Sequence, residues 1–202
     1  MNKDNSWKGG RIGLARKRRV WIPDFFYHIV SRGNRRDALF HDDSDFKIFL
    51  HILRQIHKKN PFEIASYCLM TNHYHLLMRS QKQPISKVMA LLNKRYADYY
   101  NTKNKVTGHV FEKRFYDKII NTNLDMLEVS AYIHLNPLEA GIVKRPELYQ
   151  WSSYRYYVHV SSHPHLNMAA VFDCLSGSKL EKREAYQRFV KEKKKKSKMT
   201  IS

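Results

Sequence analysis

The stretch FEIASYCLMTNHYHLLMR, residues 62–79, decides the fold. Phe62 to Met70 and His73 to Arg79 are two apolar-rich runs, and the break between them is Thr71-Asn72, a pair suited to a tight connection. The segment therefore predicts a β-hairpin whose arms are central strands. Upstream, Phe25 to Ser31 (FFYHIVS) is aromatic and β-branched and stops at Arg32-Gly33-Asn34, which predicts an earlier strand and a turn. Between that strand and the hairpin, Phe46, Phe49, Leu50, Leu53 and Ile56 recur at helical spacing. Asp42, Asp43 and Ser44 can cap this helix, and Lys58-Lys59-Asn60-Pro61 ends it.

Downstream, a second helix fits Ile85 to Tyr99, with Val88, Leu91, Leu92 and Tyr96 on one face, and Asn101 to Gly108 reads as a polar loop. Val110 to Ile120 predicts a fourth strand. Asn123 is the expected cap of a third helix through Leu124, Leu127, Ala131 and Leu135. That helix should end near Asn136-Pro137, because a residue before proline is biased away from helical angles. Beyond it come a short helix around Leu138 to Val143, an aromatic stretch from Trp151 to Val158, and a helix near Lys182 to Val190. Trp151 and Tyr154 are expected to pack the C-terminal segment back on the domain.

The order β-α-β-β-α-β-α belongs to the α+β class. It predicts a ferredoxin-like, RRM-like split β-α-β with a four-stranded antiparallel sheet. Helices pack on one face and leave the other for a ligand. Residues 21–157 form the predicted domain, residues 1–20 a basic N-terminal arm, and residues 158–202 a C-terminal extension with a basic tail.

Charge points to a polyanion. Thirty-seven Lys and Arg against 18 Asp and Glu give a formal net charge of +19 over 202 residues. Residues 1–19 hold seven basic residues and Asp4, a net +6, and residues 191–198 hold six Lys and Glu192, a net +5. The body keeps +8, enough to favour phosphate contacts. Only Cys68 and Cys174 occur, without a CxxC pair, which argues against a disulfide scaffold or a zinc finger. The sequence has no run of 18 apolar residues and no signal-peptide pattern, so the expected setting is the cytoplasm, near the nucleoid, without a membrane partner.

Two groups of residues invite chemistry. His73 and His75 flank Tyr74 in a predicted strand, so both imidazoles face one side of the sheet while Tyr74 points into the core. Neutral imidazoles hold divalent ions, but an HxH pair serves packing more often than ligation. Tyr132 and Asn136 lie four residues apart on the third helix, close enough to reach one site. Spacing alone favours a plainer arrangement, with Tyr132 in an amphipathic core and Asn136 capping a new helix at Pro137. For nucleic acid, Arg32, Arg35 and Arg36 form a basic turn, and Lys113 and Arg114 precede Phe115 and Tyr116. Such cations grip phosphates, and exposed rings stack on unpaired bases.

The combination of HYHLLM (73–78), GHVFEKRFY (108–116), YIHLNPLEAGIV (132–143) and WSSY (151–154) resembles the single-tyrosine transposases of the HUH class. More narrowly, it resembles the REP-associated and IS200-like members, over about Phe25 to Tyr157. The resemblance implies a nucleophile at Tyr132, metal ligation by His73 and His75 with Asn136 third, and Mg²⁺ or Mn²⁺ as cofactor. It further implies nicking and rejoining of single-stranded or hairpin DNA through a 5′-phosphotyrosine intermediate. A homodimer is compatible with it. Tyrosine at the middle HUH position is bulkier than the usual aliphatic residue but removes neither ligand. The rival reading is a non-catalytic single-stranded nucleic-acid-binding protein of the same layout, which the lack of an RNP-like Gly-aromatic motif on the predicted strands disfavours.

Overall fold

Thr71-Asn72 is the two-residue turn that joins β2 (Glu63–Met70) to β3 (His73–Arg79), as the hairpin reading expects. The computed structural model describes residues 21–159 and 163–199, so the basic arm read over residues 1–20 lies outside the described residues. β1 (Tyr27–Arg32) inserts beside β3, and β4 (Tyr116–Ile119) closes the sheet in the order β2-β3-β1-β4, with every pairing antiparallel. The split β-α-β is thereby realised.

α1 (Asp43–Lys59) starts on a capping box. The Asp42 carboxylate accepts from the Ser44 and Asp45 backbone N–H groups, and the Asp45 carboxylate accepts in return from the Asp42 N–H. α1 and α2 (Ile85–Asn104) cover one face of the sheet, where Phe49, Tyr74, Leu76, Met78 and Tyr96 form a first core. α2 runs past the expected end at Tyr99, through residues predicted as loop. Neither glycine nor proline interrupts Asn101 to Asn104, and the helix stops only where Lys105 takes a left-handed conformation, φ 53°.

β4 is shorter than the predicted Val110–Ile120. Val110 and Phe115 are buried in the first core, and residues 110–112 bond to the Gly33 turn instead of extending the ladder. Asn34 N–H donates to Val110 O (2.8 Å), and Glu112 N–H to Arg32 O (3.1 Å). α3 (Asn123–Glu139) also departs from expectation at both ends. Its cap is Thr122, whose Oγ1 accepts from Asp125 N–H at 3.0 Å, not Asn123. The helix continues through Asn136-Pro137, because a proline in the last turn forfeits one bond while Ala140 N–H still reaches Asn136 O at 2.9 Å. The separate helix expected at Leu138 is the end of α3, closed by a turn at Gly141, φ +71°.

α3 packs across the β2 and β3 half of the second face, so that face is not left bare. Cys68, Met70 and Leu77 meet Met126, Leu127, Ala131 and Leu135 there in a second core. α4 (Tyr154–Val158), α5 (Ala169–Phe172) and α6 (Lys179–Met199) back α3, with Tyr157, Phe172, Tyr186 and Val190 buried in the same core. Trp151 stacks on Phe46 (4.5 Å, 5°), and Tyr154 is buried, so both pack as expected. The β1 and β4 half of this face stays open.

Candidate active site

Strand register builds the open half. Arg32 lies opposite His73, Val30 opposite His75 and Tyr116, and His28 opposite Leu77 and Lys118, so these side chains share one face. All of them but Leu77 line a recess of about 680 Å³, together with Tyr132 from α3. Tyr74 points away, buried in the first core, with its hydroxyl donating to Asn93 Oδ1. The alternation expected of the HxH strand therefore holds.

His73 and His75 stand with ring centroids 4.9 Å apart. Tyr132, 39% exposed, presents its ring edge-on to His75 (5.5 Å, 88°) and to His28 (5.9 Å, 74°). Tyr132 is thus at the edge of the core, not within it. Asn136 is half-buried one turn further along, and its amide donates weakly to Tyr132 O at 3.4 Å. The same amide is near enough to both imidazoles to favour their protonated forms, although no bond of good geometry reaches His75 Nε2. Both histidines are held neutral. Burial is the main cause, reinforced at His75 by His28, His73 and Arg32 and at His73 by Arg32, and it carries His75 well below the usual imidazole range.

These residues fit a divalent cation. The Asn72 Oδ1 accepts from His73 Nδ1 at 2.7 Å, which leaves the His73 Nε2 lone pair free. His75 Nε2 is buried and has no hydrogen-bond partner, an orphaned polar atom that ligation would satisfy. Among the described residues no group of three or more His, Cys, Asp or Glu side chains is placed to hold a metal ion, and the Asn136 amide lies close to both imidazoles.

Sequence reasoning missed His28. Its Nε2 lies 3.0 Å from His75 Nδ1, and the two rings stack at 5.3 Å and 20°. Burial, with help from the Lys118 charge, lowers its pKa to about 4. The available signal was that His28 shares the parity of Val30 and so lies on the face of β1 opposite Tyr27 and Ile29. The contact itself depends on register, because His28 and His75 are diagonal neighbours across the β1 and β3 pair.

Four of the five predicted DNA-contacting residues gather here. Arg32, Arg36, Lys113 and Arg114 line the recess with Lys118, while Arg35 does not. Arg35 and Arg36 both take positive φ (52° and 66°) in the turn after β1. Among the described residues Glu112 is the one carboxylate in the lining, 3.9 Å from Lys113 Nζ. Tyr116 is exposed at the rim, and Phe115 is buried. The recess is strongly cationic and carries an accessible tyrosine and an accessible aromatic ring.

Comparison with known proteins points one way. The family model described as "Transposase IS200 like" matches residues 22–136, a span that includes His28, His73, His75, Tyr132 and Asn136. The REP-associated tyrosine transposase of Escherichia coli (strain K12) is 22% identical over 144 residues, 70% of this chain and 83% of that protein. A putative REP-associated tyrosine transposase of Haemophilus influenzae is 21% identical over 151 residues, 69% of this chain and 84% of that protein. Among solved structures, a REP-associated tyrosine transposase bound to a REP hairpin superposes with a TM-score of 0.62 at 18% identity, covering 76% of this chain and 98% of its own.

Proposed function

The chain belongs to the IS200-like transposase family, and from that premise we propose that it nicks and rejoins single-stranded DNA beside hairpins, with Tyr132 as the nucleophile. One observation carries the reading: the accessible Tyr132 stands edge-on to His75, whose buried Nε2 is unpartnered, inside a recess lined by Arg and Lys.

The Tyr132 oxygen attacks a backbone phosphorus, forming an O–P bond as the bond from phosphorus to the 3′ oxygen breaks. The phenolic proton passes to solvent, and the departing 3′ oxygen takes one up. The products are a 5′-phosphotyrosine and a free 3′-hydroxyl, and attack by a 3′-hydroxyl on the phosphotyrosine reverses the step without ATP. Arg32, Arg36, Lys113, Arg114 and Lys118 bind and orient the strand through its phosphates. His73, His75 and Asn136 would hold Mg²⁺ or Mn²⁺, which when bound polarises a non-bridging phosphate oxygen and stabilises developing negative charge. The neutral imidazoles present lone pairs for that purpose at neutral pH.

The test is a denaturing gel of labelled single-stranded hairpin DNA incubated with Mn²⁺ and either the wild-type chain or Tyr132→Phe. A covalent adduct is expected with the wild type only. His73→Ala and His75→Ala should lose cleavage and keep most of their DNA binding, because the phosphate contacts remain. An adduct that persists in Tyr132→Phe removes Tyr132 from its role. Tight binding with no adduct on any hairpin favours a non-catalytic binding module.

A further inference from the structure

A second cavity, of about 300 Å³, opens on the other side of the sheet from Tyr132, between α1, the outer strand β2 and the α4 segment. One wall is apolar and contains Leu50, Leu53, Phe62 and the Trp151 indole. The other carries Arg54, His57, Arg155, His163 and His165, and among the described residues no carboxylate lines the space. Tyr67 lies at its floor. That side chain is 4% exposed.

Arg54 and Arg155 are exposed at its mouth, and no carboxylate among the described residues pairs with either. Arg54 has no ion pair among the described residues, and Arg155 spends its guanidinium on its neighbour, lying 4.7 Å over the Tyr156 ring and donating to the Tyr156 hydroxyl at 2.6 Å. The positive field reaches the histidines. Burial lowers the pKa of His163 and of His165, and the further causes are cations and other imidazoles, Arg54 among them for both. A ligand that used both walls would be an anion with an apolar part. A volume at the lower end of the range for small-molecule sites admits one nucleotide and excludes a duplex.

We propose that this cavity binds one unpaired nucleotide of a DNA strand, with its phosphate held by Arg54, Arg155 and the Tyr67 hydroxyl and its base against the Leu50, Leu53 and Trp151 wall. The proposal rests on DNA as the partner and gives the chain a second hold on the strand, on the far side of the sheet from the nicking site.

Calorimetric titration of the full chain with dAMP, deoxyadenosine and inorganic phosphate separates the parts of the ligand. dAMP should bind roughly tenfold more tightly than either fragment, since both walls contribute. Tyr67→Phe keeps the ring and removes one proposed phosphate donor, so dAMP affinity should fall by roughly tenfold while urea unfolding shows a folded protein. Arg54→Gln with Arg155→Gln should weaken binding of a labelled single-stranded oligodeoxythymidylate, with adduct yield at saturating DNA unchanged. Phosphate binding as tightly as dAMP would reduce the cavity to a plain anion site and overturn the nucleotide assignment. Unchanged dAMP affinity in both variants would overturn the site. Unchanged oligonucleotide affinity in the double variant, beside lost dAMP binding, would overturn the strand as ligand in favour of a free nucleotide. Tyr132→Phe serves as the control: dAMP binding that persists without any adduct from the wild type sinks the nicking function and leaves the cavity assignment standing.

Discussion

His28→Phe probes the candidate metal site without touching a proposed ligand. His28 Nε2 and His75 Nδ1 are 3.0 Å apart between two buried, stacked rings. With His75 donating from Nδ1, its Nε2 lone pair faces the recess, where no hydrogen bond satisfies it. Phenylalanine keeps the ring and the stacking but deletes the acceptor. The His75 Nδ1–H is then buried without a partner, a penalty of about 1–3 kcal/mol. The imidazole can escape it only by turning or by moving its proton to Nε2, and either change spoils the ligand. Loss of such an outer partner typically weakens metal binding by about 10–100-fold, or roughly 1.4–2.7 kcal/mol. Mn²⁺ titration followed by calorimetry, on wild type, His28→Phe and His75→Ala, should place His28→Phe between the other two. Urea unfolding of the metal-free proteins checks that the variant is folded. A folded His28→Phe that binds Mn²⁺ indistinguishably from the wild type would refute the positioning role and the tautomer it implies.

Acid should destabilise the metal-free protein over a defined window. Burial lowers the pKa of His134 to about 3 and that of His28 to about 4, against 6.5 unfolded, so the unfolded chain binds more protons below pH 6.5. The stability is full above that pH and is lost as pH falls toward the folded values, by about 2 kcal/mol for each of these two groups at pH 5. Urea midpoints at pH 7.5 and 5 measure this, and no change between them would contradict it. Asn136→Ala should weaken Mn²⁺ binding and adduct formation together, by more than His28→Phe does, because a ligand is lost instead of an outer partner. Unchanged Mn²⁺ dependence of cleavage would leave Asn136 as an ordinary residue of α3. In Gly33→Ala, the new Cβ would stand 2.2 Å from Asp37 O, so the turn must shift, at about 1–3 kcal/mol of stability by urea unfolding. DNA affinity should fall with it as Arg32 and Arg36 move, and unchanged stability and binding would mean that the turn relaxes freely.

What was legible in the sequence divides along physical lines. The hairpin, β1 and the start of α1 follow from period-two apolar runs, a two-residue turn and cap chemistry, all of which are local. The end of α2 carried no such mark, because Asn101 to Asn104 are polar residues that serve a helix or a loop equally and the decisive event is the left-handed Lys105. Pro137 marked a helix end too early, since in the last turn its missing N–H forfeits a single bond. Val110 to Glu112 read as strand, but the backbone they bond to is a turn. His73, His75, Tyr132 and Asn136 were found as pairs at the right spacing, and only the fold shows that His73, His75 and Tyr132 line one recess, with Asn136 one turn along α3 outside its lining. His28 was invisible because its partner is defined by register between two strands 47 positions apart. Tyr67 was hidden in the same way, its surroundings being supplied by α1 and the α4 segment.

Anchoring of α3 bears on how the nucleophile is delivered. The helix carries Tyr132 on its open side, while Met126, Leu127, Ala131, Ile133 and Leu135 are sealed into the second core. Polar bonds inside that core hold it further. Ser130 Oγ is 2.7 Å from Ser66 Oγ on β2 and 2.6 Å from the Tyr186 hydroxyl on α6. His134 bridges the Tyr186 hydroxyl and Ser153 Oγ, each at 2.8 Å. Handing α3 to a second chain would expose these faces of β2 and α6 and leave several fully buried polar groups unpaired unless the partner replaced every one. Within one chain the proposed nucleophile already stands edge-on to His75, so the proposed site needs no exchange. A pair of chains could still form on this DNA, but each would be expected to cut with its own tyrosine and its own histidines.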